Sequence, residues 1–138
     1  MDTSVVMGRV LGEPGAIDDW SGWEPAISSE LIRVELHRVV DRLRLRDWLT
    51  NLEFMDIRSS VQKMIRGFEI VPLSRAVLTR AGDPFPTVLG TLDAIHLASA
   101  LLWTEETGDA ITFLTHDLQL AMAAKACGLE VQTSPKPR

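Results

Sequence analysis

Apolar and polar positions along this chain switch repeatedly between a two-residue and a helical period, which predicts short strands alternating with helices. Thr3 to Val6 predicts a short opening strand, a strand remnant. Gly12-Glu13-Pro14-Gly15 breaks the run that follows, and Ala16 to Pro25, with two tryptophans and three acids, reads as a loop or short helix. Pro25 to Ser28 predicts a brief strand. Ser28 or Ser29 then caps a helix running to about Leu45, with Glu30 in its first turn. A second helix, about Asp47 to Arg66, follows so closely that the two form an antiparallel hairpin. Phe68 to Leu73 alternates as a strand does, and Ser74 caps a short helix ending near Gly82. Asp83-Pro84-Phe85-Pro86 must be loop, because proline neither donates to a helix nor tolerates one before it. Leu92 to Trp103, opened by Thr91, is apolar almost all round and predicts a helix buried on most sides. Ile111 to Leu114 is a short buried strand ending at Thr115-His116-Asp117. Leu118 to Ala126 is a helix closed by Gly128, and Leu129 to Gln132 is a last strand.

Strands alternating with helices imply a parallel sheet with crossover connections. The expected organisation is a single domain over residues 1–133 with a flexible tail at 134–138. The 46% apolar and 24% charged residues fit a globular domain, and no run is long and apolar enough to span a bilayer. Neither a secretory signal nor an internal disulfide is expected, since Cys127 is the lone cysteine and reads as a small core residue. A cytoplasmic setting follows as the expectation. The net charge of −5 is unevenly spread: ten Lys and Arg stand against six Asp and Glu between Arg33 and Arg80. That basic stretch suits either an anionic polymer or ordinary solvated helices.

Four acids lie at or just inside the starts of predicted elements, next to residues that read as core: Asp2, Glu35, Asp93 and Asp117. Buried carboxylates need partners. Glu35 shares a helix face with Leu31, Ile32 and Val39, whereas Glu30 points about 140° away, towards Arg33 and His37. Each acid also admits a plain structural role. Glu35 can pair with Arg38, Asp93 can answer the helix dipole, and Asp117 can cap the helix from Leu118. His96, one turn after Asp93, can orient that acid or a phosphate, or rest as a satisfied core histidine. Thr3, Ser4 and Thr115 are hydroxyl donors beside the acids. A shared divalent metal explains the four together, and oxygen donors without a His/Cys cluster suit Mg²⁺ or Mn²⁺ rather than zinc. The chain has no GxGxxG, Walker A, CxxC, HExxH or GxSxG sequence.

The segments "DTSVV", "ISSELIRVELHRVVDR", "LGTLDAIHLASAL" and "FLTHDLQLAMAAKACGLEV" resemble, in order and separation, the PIN domain family, most closely the VapC-type toxins of bacterial toxin–antitoxin pairs. The resemblance implies a three-layer α/β sandwich: a small parallel sheet of four to five strands with helices on both faces. It implies an Mg²⁺- or Mn²⁺-dependent endoribonuclease whose catalytic and metal-holding acids match Asp2, Glu35, Asp93 and Asp117. Thr3, Ser4 and Thr115 match hydroxyl positions that support the acids or the scissile phosphate. It further implies an RNA substrate, a small protein antitoxin whose tail occupies the acidic groove, and a homodimer anchored by Trp20, Trp23, Trp48 or Trp103, with Trp103 the better fit to the core. Arg33, Arg38 and Arg42, with Arg46, are candidates to line the RNA path. One departure stands: family members carry a few apolar residues ahead of the first acid, and here only Met1 precedes Asp2. That leaves either a start upstream or a shortened first strand. Two other readings fit the same residues, a catalytically silent PIN module that binds RNA or assembles, and a metal phosphatase acting on small phosphomonoesters.

Overall fold

Six helices and four short parallel strands make up the described residues, 1–13 and 25–133, of the computed structural model. The expected loop or short helix over residues 16–24, with Trp20 and Trp23, and the expected tail at 134–138 lie outside them.

The chain opens with a correction. Thr3–Val10 is a helix, α1, rather than a strand. Asp2 sits at its N-cap in extended geometry and accepts from the Ser4 amide, so helix begins at the third residue. The β-branched Val5 and Val6 are buried, and Val6 and Met7 join a cluster with Ile32, Leu36, Val40, Val61 and Ile65. Burial of that size outweighs the few tenths of a kcal/mol by which valine disfavours helix. Gly12, at φ +64, turns the chain after the helix.

β1 (Ile27–Ser29) pairs in parallel with β2 (Glu69–Val71), and β3 (Thr112–Leu114) pairs in parallel with β4 (Glu130–Gln132). Ile27 stands opposite Glu69, and Thr112 opposite Glu130. The α/β architecture with parallel strands is as expected, but the sheet is divided into two pairs. Met1 and Asp2 lie between them: the Met1 amine donates to the Ile27 carbonyl at 2.9 Å, and the Asp2 amide to the Leu114 carbonyl at 3.0 Å. Ser28 Oγ donates to the Met1 carbonyl at 2.8 Å. Two residues hold the pairs in place without amounting to a strand. A cleft of about 440 Å³, lined by Met1, Pro25, Ile27, Ile111 and Phe113 among others, lies beside them and contains none of the four acids.

α2 (Leu31–Leu45) and α3 (Asn51–Gly67) pack on each other and on α1, as the predicted hairpin requires. Their starts differ from expectation for local reasons. Ser29 ends β1, its hydroxyl accepting from the Leu31 amide at 3.3 Å, while Glu30 reaches across to the Leu73 amide at 3.1 Å. Asp47 adopts φ +56, so the chain turns before α3 begins. Thr50 and Glu53 then cap each other's amides, a signal present in the sequence as T-x-x-E.

Ser74 caps α4 (Arg75–Gly82), which packs on α5 (Thr91–Thr107) through Val77, Ile95 and Ala98. α5 runs a turn beyond Trp103 and buries every residue from Ala94 to Leu101, in line with its unbroken apolarity. With α6 (Leu118–Ala126) it encloses Leu97, Phe113 and Leu120. Two expected core residues are only half-buried. Cys127 packs at the edge of that cluster, and Trp103 donates its indole N–H to Glu69 Oε1 at 3.3 Å. Trp48 is 66% exposed.

Candidate active site

Strand C-termini are where α/β sheets gather ligands, and the C-terminal end of β3 delivers Thr115 and Asp117 beside Asp2. The Asp2 carboxylate is buried. Its Oδ2 accepts from Ser4 Oγ and from Thr115 Oγ1, each at 2.7 Å. Ser4 Oγ in turn accepts from the His116 amide at 3.2 Å, and Thr115 Oγ1 from the Asp117 amide at 3.0 Å. Two hydroxyls thereby tie the first acid to the segment that carries the last one. Asp117 caps α6, its Oδ1 accepting from the Leu120 amide at 2.9 Å. The capping role of Asp117 and its place beside Asp2 coexist, since the cap uses Oδ1 and leaves Oδ2 to the site.

Thr3, expected to support the acids alongside Ser4, does not bond to them. Its hydroxyl is buried without a partner, alone in this among the side-chain polar atoms of the described residues.

Asp93 stands in the first turn of α5. Burial raises its pKa above the ordinary aspartate value; the charges of Asp2 and Asp117 push it the same way, His96 pulls against them, and Glu35 adds a further upward push. Asp93 therefore senses the other three acids, although the four come from separate places in the chain. Glu35, half-buried on α2, pairs with His96 rather than with Arg38: His96 Nε2 lies 2.5 Å from Glu35 Oε1. Arg38 bonds Asp41 instead, at 2.9 Å. His96 thus has Glu35 as its partner, where the sequence left Asp93, a phosphate or a satisfied core position open. Nothing local could have shown this, because 61 residues separate the two.

The arginines divide. Arg38 and Arg42 follow Glu35 within about 60° on the same side of α2, whereas Arg33 points about 160° away. All three are exposed. Arg38 and Arg42 thus lie on the Glu35 side of the helix and Arg33 on the other.

As the side chains stand, no three His, Cys, Asp or Glu among the described residues converge closely enough to clasp an ion. The fit to a divalent cation is one of donor type and charge. The donors are all carboxylate oxygens, suited to Mg²⁺ or Mn²⁺, and the like charges that raise the Asp93 pKa are what a cation offsets. Thr115→Val should destabilise the domain by about 1–3 kcal/mol, since it deletes a buried donor to a carboxylate. Urea unfolding of the variant beside wild type measures this.

Comparison with known proteins agrees with this geometry. The PIN domain family matches residues 1–126. The chain is 32% identical over 142 residues to "Ribonuclease VapC47" of Mycobacterium tuberculosis (strain CDC 1551 / Oshkosh), covering 98% of this chain and 95% of that protein. No solved structure matches. An acid that follows β3 and caps α6, an acid in the first turn of a buried apolar helix and this likeness lead to one placement: the chain belongs to the PIN domain family, in its VapC-type branch.

Proposed function

We propose that this protein is a divalent-metal-dependent endoribonuclease, the toxin of a toxin–antitoxin pair. The observation that carries the reading is Asp93, a carboxylate destabilised as an anion by burial and by three neighbouring acids. Carboxylates perturbed by burial and by specific charged neighbours cluster at functional sites. A relative named a ribonuclease, aligned over nearly the whole of both chains, supplies the reaction class.

Asp2, Glu35, Asp93 and Asp117 are the residues that would hold Mg²⁺ or Mn²⁺. When bound, such an ion lowers the pKa of water and neutralises charge on a phosphodiester. The chain's own part is to orient. Ser4 and Thr115 fix the Asp2 carboxylate, and the α6 cap fixes Asp117 while leaving Oδ2 for the site. Arg38 and Arg42 offer phosphate contacts next to Glu35, which supply affinity rather than sequence choice. The same cluster suits a small antitoxin that brings a cation to the acids, and a homodimer in the cytoplasm completes the proposal. No helix among the described residues is long and apolar enough to cross a membrane.

One observation favours the silent-module reading, the absence of three converging ligands among the described residues. An assay on structured RNA separates the two. Wild type should cleave with Mn²⁺ and stop with EDTA, and Glu35→Gln should lose more than ~100-fold. Preference for p-nitrophenyl phosphate over RNA would point to a phosphatase, and inactivity of folded wild type on a broad RNA panel to the silent module.

A further inference from the structure

We infer that His96 is a positioning residue that sets the Glu35 carboxylate; this rests on the carboxylate-site reading above and deepens it. His96 lies on α5 one turn after Asp93, and residues three apart share a helix face. The residue is 4% exposed within the buried run from Ala94 to Leu101, where an unpaired polar ring is costly. Its partner comes from another helix: Nε2 meets Glu35 Oε1 at 2.5 Å. An ionised carboxylate has no proton to give, so the Nε2–H is the donor.

Glu35 needs such a tether. It has three side-chain torsions, and its side chain is 20% exposed where that of His96 is 2%. An untethered glutamate at that rim samples rotamers directed to solvent. The bond uses Oε1 and leaves Oε2 for an ion. α5 therefore serves the site twice, with Asp93 as a carboxylate and His96 as the anchor that brings the α2 carboxylate towards it. A core histidine satisfied by any nearby acceptor has no such consequence, and the two roles part experimentally.

The test is Mn²⁺ titration of the full chain by calorimetry, with no RNA present. His96→Ala should weaken Mn²⁺ binding ~10–100-fold. His96→Gln, whose amide nitrogen reaches about as far as Nε2, should recover most of it, and the shorter His96→Asn should not. In a Glu35→Gln background His96→Ala should add no further loss. Wild-type affinity in folded His96→Ala, or an undiminished loss in the Glu35→Gln background, overturns the inference. If His96→Ala fails to fold, the comparison of Gln with Asn decides: equal affinities overturn the inference, and a tighter Gln variant upholds it. If wild type itself takes up no Mn²⁺, the metal-site reading falls and the positioning role falls with it. Normal wild-type binding with unaltered His96 variants removes the positioning role alone.

Discussion

Asp93→Asn is expected to lower RNA cleavage by more than ~100-fold and, without metal, to raise the melting temperature of the domain. Both effects come from one carboxylate. Its folded pKa lies above the usual aspartate value because burial, Asp2, Asp117 and Glu35 disfavour its charge. The folded state therefore binds the Asp93 proton more tightly than the unfolded chain does. Stability from this group is present at low pH and is lost as pH rises through the folded pKa. Above the folded pKa the metal-free wild type carries that strain, whereas the amide of Asn is neutral throughout. Melting curves taken without metal between pH 4 and 8 should show wild type losing ground to the variant as pH rises. Adding Mn²⁺ should stabilise wild type and leave the variant almost unmoved. A variant that is less stable than wild type at pH 7 would show that Asp93 serves the fold rather than the site.

The second large effect lies at the other end of the first segment. In the chain with a free Met1 amine, that group is hydrogen-bonded to Ile27 between the two strand pairs, and its pKa falls from 8.0 to about 6. Burial is the main cause, opposed by the Asp2 charge. The unfolded chain then holds the proton more tightly between pH 6 and 8, so stability rises with pH across that window and the penalty is complete below about pH 6. Two pKa steps correspond to about 3 kcal/mol, and the partial exposure of Met1 as a whole reduces this to about 1–3 kcal/mol. Acetylating the amine keeps an N–H for Ile27 and removes the charge. Chemical denaturation at pH 6 and pH 8 should differ for the free amine and agree for the acetylated chain. Equal slopes in both would mean the amine is solvated.

Features written into short stretches of sequence were legible. Pro84 and Pro86 mark a loop, Ser74 a helix start, and the unbroken apolarity of α5 its burial. The positions of Asp93 and Asp117 at helix starts could be read in the same way, since caps and dipoles act within one turn. What was illegible depends on packing across the chain. Thr3 to Val6 has the residues of a strand, but the Asp2 cap and burial with Ile32 and Leu36 make it helix. The T-x-x-E signal at Thr50 was available and marks the true start of α3 better than the polar run before it. Glu35 could be chosen over Glu30 from helical periodicity, yet its bond to His96 joins two helices by tertiary contact alone. The unpartnered Thr3 hydroxyl is equally invisible in the sequence, where Thr3 and Ser4 look alike.

The proposed function requires four carboxylates to act as one cation site. Mn²⁺ titration of wild type beside Asp2→Asn, Glu35→Gln, Asp93→Asn and Asp117→Asn tests this most directly. Wild type should bind, each variant should show a marked loss, and EDTA should reverse the thermal stabilisation that Mn²⁺ confers. Wild type without measurable binding, or four variants that bind as wild type does, would contradict it.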